Sequence, residues 1–181
     1  YSSLQASTHI HELINKALQN NFAAVGLVDL GNMMGAFKFV SEVEKANGTI
    51  KKNHKEFLEK KQKAEEEGND FKETEPRKEE LIPIIGCEFY ISDRPEQKQF
   101  TKDDPDRRTN VVLLAKNFNG YKNLAKLSSI GYVNGFYFGV PRISKEMIAE
   151  YKEDLIALTA GTFGDVTNTI LESGEKKGEE D

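Results

Sequence analysis

Apolar positions recur along this chain with two different periods, and the alternation between them sets the expected fold. Ile10, Leu13, Ile14, Ala17 and Leu18 fall at helical spacing behind Ser7 and Thr8, hydroxyl residues suited to cap a first turn. This predicts an amphipathic helix ending at Asn20-Asn21. Phe22 to Val28 is a short apolar run that stops at Asp29, as expected of a strand buried on both faces. Phe37, Val40 and Val43 predict a second helix from about Met33 to Ala46. Further buried strands are expected at Ile82 to Ile91, Val111 to Ala115 and Leu155 to Leu158. Helices over Phe118 to Val133 and Ser144 to Lys152 separate them, so the βαβ alternation points to the α/β class with a mostly parallel sheet.

One stretch departs from this pattern. Asn47 to Glu80 carries nine basic and ten acidic residues, with Ile50, Phe57, Leu58 and Phe71 as its main apolar ones. Such a composition predicts a charged, solvated insertion, removable at little cost in stability. Good helix formers and mixed-sign neighbours over Lys51 to Glu67 predict a projecting helix with frayed flanks. A partner-binding arm is the alternative use of such a segment.

The chain has 181 residues, 38% hydrophobic and 30% charged, enough for one domain with its own core. Its net charge of -5 is concentrated at the end, where residues 165–181 hold six acids against Lys176 and Lys177. The body is nearly neutral and has no basic stripe, which argues against an independent grip on phosphate backbone. Cys87 is the single cysteine, so neither a disulfide framework nor a thiolate zinc site is available, in keeping with a reducing cytoplasm. No apolar run approaches the ~18 residues of a membrane span. The start at Tyr1 and the charged end at Asp181 read as those of an excised piece.

Three segments carry the chemistry. Ile84 to Tyr90 is an apolar run that carries one acid, Glu88. Leu113-Leu114-Ala115-Lys116-Asn117 is an apolar run ending in a polar turn, followed by Gly120-Tyr121-Lys122-Asn123-Leu124. With Asp29-Leu30-Gly31-Asn32-Met33 upstream and Gly135-Phe136-Tyr137 downstream, these segments in this order resemble the N-terminal polymerase and histidinol phosphatase (PHP) domain of bacterial DNA polymerase III alpha subunits. The resemblance covers most of the chain apart from the charged stretch.

That resemblance implies a partial, distorted β/α barrel of the TIM-like, seven-repeat kind. About four or five mostly parallel strands would form an open sheet with helices outside. Residues 1–181 would be part of one PHP domain, with the 47–80 insertion inside it and residues 172–181 an acidic tail leading onward. In the family, His, Asp and Glu from several strands hold up to three metal ions that activate water for phosphoester hydrolysis. The opening His-x-His would fall ahead of Tyr1 and the closing Asp-x-His beyond Asp181. Within the chain, Gln5 stands where an acid is usual, Leu30 and Asn110 where imidazoles are expected, and Gly161 at a further ligand position. Glu88 alone is kept. The resemblance therefore implies a degenerate metal site at Gln5, Leu30, Glu88, Asn110 and Gly161, no catalytic residue, and no metal or cofactor of its own. Glu88 is expected at the carboxyl end of its strand, held by a polar neighbour. Binding a metal, or serving as an ordinary exposed acid, are its other readings.

The function so implied is a non-catalytic scaffold within a DNA-directed DNA polymerase, a nucleotidyltransferase of DNA replication that uses Mg elsewhere in its chain. Its partners would be the rest of the alpha subunit and a proofreading exonuclease, with DNA reached through the parent and no membrane. The alternative is an active metal-dependent phosphoesterase or 3'-5' exonuclease completed by residues outside the chain.

Several other features have blander expectations. His9-Ile10-His11 on a helix would point its rings about 200° apart, too far to share a metal. His54 is expected to be solvated, and Cys87 to pack as a small apolar group. Gly161-Thr162-Phe163-Gly164 lacks the spacing and the Lys of a phosphate loop. Phe136-Tyr137-Phe138 beside Pro141-Arg142 would stack on a base or, more ordinarily, pack internally or between domains.

Overall fold

The computed structural model describes residues 8–173, so Ser7, Gln5 and the acidic tail beyond Ser173 lie outside the described residues. Element order is α1 (Ile10–Gln19), β1 (Ala24–Leu30), α2 (Ala36–Glu66), β2 (Ile82–Ile91), β3 (Thr109–Ala115), α3 (Phe118–Val133), β4 (Arg142–Ile143), α4 (Lys145–Glu150), β5 (Leu155–Leu158) and α5 (Asp165–Ser173), with a 3-10 turn at Gly161–Phe163. The chain divides into two compact units, one with residues 26–36 and 84 onward, the other with residues 6–25 and 37–83.

In the first unit the strands belong to a five-stranded sheet of order β1-β2-β3-β5, with β4 also paired to β2. β1 runs parallel to β2: the amide of Ile82 donates to Ala23 at their starts, and that of Gly31 to Glu88 at their ends. β4 is parallel to β2, whereas β3 is antiparallel to both β2 and β5. The expectation of a mostly parallel sheet is thus corrected at β3. Buried strands show the same apolar run whichever way they point. Residues 92–108 supply no crossover helix, so the chain turns back into the neighbouring position, as an antiparallel pair allows. The sheet is open among the described residues.

Cys87, Phe89, Leu113, Leu124, Leu127 and Ile143 form the core of this unit, with Met33, Val111, Met147 and Tyr151 packed against it. Cys87 is fully buried there, as expected. Burial pushes its thiol pKa well above the ordinary value, and the Asp29 carboxylate adds to the shift. The helix starts follow their caps. Asn117 accepts from the amides of Asn119 and Gly120 ahead of α3, and Ser144 accepts from Met147 ahead of α4.

In the second unit the insertion is not a separate element. α2 runs unbroken from Ala36 to Glu66, through Asn47-Gly48. Phe39, Val43, Ile50 and Phe57 are buried, and Ala46, His54 and Ala64 are half-buried between and beyond them. These positions follow one another at three, four or seven residues, a single helical stripe that crosses the charged stretch. The charges that dominate its composition occupy the other face. His54 sits on the stripe rather than in solvent: its Nδ1 is buried with no hydrogen-bond partner, and Glu75 lies 3.9 Å away.

The segment after α2 returns along the helix. Phe71 packs edge-on against Phe57 at 5.2 Å, and Lys51 pairs with Glu80 at 3.0 Å. Asn47 closes the return, its side chain accepting from the Leu81 amide (2.8 Å) and donating to the Leu81 carbonyl (3.0 Å). The helix that opens this unit also starts later than its sequence suggested. His9 occupies the N-cap with extended backbone, so the 200° argument fails for it, and the His9 and His11 rings stack at 5.7 Å.

Candidate functional site

The expected site positions meet at one end of the sheet in the first unit. β1 ends at Leu30, and Gly31 turns the chain with φ +69°, a left-handed conformation that suits glycine. The Gly31 amide donates to the Glu88 carbonyl at 2.7 Å, which sets the end of β1 beside Glu88. Asp29, just before, is buried and accepts from the Gly35 amide at 2.8 Å, so this carboxylate serves the approach to α2. A Cβ at Gly35 would collide with it.

On β3, Asn110 stands opposite Tyr90 and Val112 opposite Glu88, so Glu88 and Asn110 are diagonal neighbours on one face. The Asn110 amide donates to Glu88 Oε1 at 2.6 Å. Gly164 bridges to Asn110, which brings in the turn holding Gly161, exposed and at φ +61°. Leu30, Glu88, Asn110 and the Gly161 turn therefore gather at the carboxyl ends of β1, β2 and β5. Gln5 lies outside the described residues.

The chemistry of this end is limited. The Leu30 side chain offers no ligand atom, Asn110 holds Glu88 through its amide nitrogen, and Gly161 has no side chain. Among the described residues, no group of three or more His, Cys, Asp or Glu side chains could hold a metal ion. Asp165 lies nearby on α5, but both its oxygens are engaged, by the Thr109 hydroxyl at 2.9 Å and by Lys145 at 2.6 Å. The described residues do not by themselves fit a polynuclear metal centre, which needs several free ligands converging from different strands. Beside Glu88, burial and then that carboxylate raise the Tyr90 phenol above its usual pKa.

A second cluster, which sequence reasoning missed, surrounds Arg142. Its side chain is fully buried and pairs with Asp106 at 2.8 Å. It also donates to the carbonyls of Gly135 (3.0 Å), Pro95 (2.8 Å) and Gln97 (2.7 Å). The guanidinium lies over the rings of Tyr137 and Phe100, about 5 Å from each centroid. One ion thus ties the 92–108 connection to the hairpin ahead of β4. Gly135 is required at that crossing, since a Cβ there would overlap the Arg142 carbonyl. The available signal was an arginine between Pro141 and Ile143 in an otherwise apolar strand. Of the three aromatics, Tyr137 packs inward, while Phe136 and Phe138 remain exposed.

The chain, in which these positions collect at the strand ends of an open sheet, belongs to the PHP domain family, which matches over residues 1–181. Among curated proteins it is similar to DNA polymerase III subunit alpha of Borreliella burgdorferi, 33% identical over 94% of this chain and 12% of that protein. It is equally similar to those of Chlamydia trachomatis (33%, 97% of this chain, 11% of that protein) and Aquifex aeolicus (33%, 99% and 13%). The chain thus spans about one eighth of the length of these relatives.

Proposed function

We propose that residues 1–181 belong to the PHP domain of a replicative DNA polymerase III alpha subunit and act there as a non-catalytic scaffold. The names of the relatives support the parent activity, DNA-directed nucleotidyl transfer. Its Mg-binding carboxylates would then lie outside this chain. The observation that carries the scaffold reading is the 2.6 Å bond from Asn110 to Glu88. An amide takes the place of an expected imidazole and engages Oε1 of the one ligand carboxylate retained, which supports reading Leu30, Glu88, Asn110, Gly161 and Gln5 as vestigial positions. The rest of the subunit, and through it DNA and a proofreading exonuclease, are the partners that follow.

The test is calorimetric titration of the full-length protein with zinc and with manganese, beside its Glu88→Ala variant, together with primer extension by both. Equal metal binding and equal extension are expected. Tight stoichiometric binding lost in the variant would establish the phosphoesterase or exonuclease reading instead. Absence of primer extension by the full-length protein would refute the polymerase assignment.

A further inference from the structure

The hairpin tip at Phe138 has the wrong residue for its backbone and for its surroundings. Tyr137 and Val140 exchange both main-chain hydrogen bonds at 3.0 Å, leaving Phe138 and Gly139 as the two central residues. Their φ values are +44° and +80°, the pattern of a type I′ turn, which favours Asn-Gly. A bulky side chain in the left-handed region is an outlier that the surrounding structure must impose. The ring gains little burial in return: Phe138 is 88% exposed, touching Tyr137 edge-on at 4.8 Å. Its neighbours Tyr132 and Phe136 stack on each other and are themselves exposed, as is Val133.

The platform beneath is fixed. Arg142 anchors it from inside, and Lys98 donates to the carbonyls of Asn134 (2.8 Å) and Phe136 (3.0 Å). Folding alone gives no reason to keep a phenyl ring here, where asparagine would suit both the turn and the solvent. We infer that Phe138, flanked by Tyr132, Val133 and Phe136, is an anchor that inserts into an apolar pocket on the part of the subunit outside residues 1–181.

Two observations select that occupant. Relatives of this chain are about eight times its length, so most of such a subunit lies outside it. The two cations bonded to the hairpin, Lys98 and Arg142, are spent on main-chain carbonyls and Asp106. Arg142 is buried, so Lys98 is the one exposed cation of the two, and a lone lysine held on carbonyls is not the positively charged groove that single-stranded nucleic acid requires. The inference rests on the polymerase reading above and gives one surface of the scaffold a defined contact.

Hydroxyl-radical footprinting of the full-length protein tests it without altering the ring. Phe138 is expected to oxidise several-fold more slowly in the native protein than in the same protein unfolded. In a Phe138→Asn variant, which preserves the turn, Tyr132 and Phe136 are expected to become several-fold more reactive as their cover is released. Native oxidation of Phe138 near the unfolded rate would overturn the inference, as would protection that appears only on adding single-stranded DNA or only at high protein concentration. Primer extension by the same preparation keeps the two readings apart, since an active polymerase with a freely oxidised Phe138 refutes the anchor alone.

Discussion

Replacing Arg142 by methionine keeps an unbranched apolar stem in place and removes the charge and every donor. The side chain is fully buried, and Asp106, its ion-pair partner, is only 13% exposed. In the variant, that carboxylate keeps Arg108, whose Nε is 3.5 Å away, the carbonyls of Pro95 and Gln97 lose their side-chain donor, and that of Gly135 is left with the main-chain amide of residue 142 at 3.3 Å. Breaking a buried pair from one side costs about 3–5 kcal/mol, because the remaining charge stays desolvated. At about 2–4 °C per kcal/mol for a chain of this length, the melting temperature should fall by about 6–20 °C. Chemical denaturation followed by circular dichroism measures the loss. The double variant Arg142→Met, Asp106→Asn should cost less than the two single changes together, by about 0.5–3 kcal/mol, because the stranded charge is gone. A single-variant loss below about 1 kcal/mol, with strict additivity, is the size expected of a surface pair and would refute the buried-hub account.

Four other outcomes are expected. Asn47→Ala should destabilise by about 1–3 kcal/mol in urea titration, since it strands both main-chain groups of Leu81. Gly48→Ala should stabilise by about 1 kcal/mol, because the glycine lies inside α2 with open space where a Cβ would stand; a destabilisation would mean that the helix is broken there. Hydrogen bonds from Arg94 and then Gln97 lower the Asp104 carboxyl pKa from 3.8 to about 2. A depressed carboxylate contributes stability above its unfolded pKa and loses it as pH falls through the folded one. The deficit of an Arg94→Ala variant should therefore be present at neutral pH and disappear between about pH 4 and pH 2, and carboxyl chemical shifts that show Asp104 titrating near 4 would contradict this. Cys87 should resist a thiol reagent in the native protein and react on unfolding, and native labelling at the rate of a free thiol would show that the core opens there.

The sequence by itself determined the elements whose burial follows a local period. α1, β2, β3, α3, α4 and β5 stand close to where their apolar runs put them, although α1 has its N-cap at His9 rather than at the expected hydroxyl residues and β5 is largely exposed rather than buried, and Glu88 was marked out as the lone acid of its strand. Net charge and the placement of Cys87 were equally local matters. Tertiary structure alone decided features that depend on which groups meet. The direction of β3 is one, because a strand buried on both faces looks alike from either end. The continuity of α2 is another: its stripe of Phe39, Val43, Ile50 and Phe57 is diluted by the charges of the opposite face, and burial on one side selects the stripe. The Asn110 partner of Glu88 comes from 22 residues away, across a strand pair whose register no local pattern states. Arg142 is the clearest case: a cation in an apolar strand looks like an edge residue until Asp106 and three carbonyls, brought from two separate connections, replace the water it gives up.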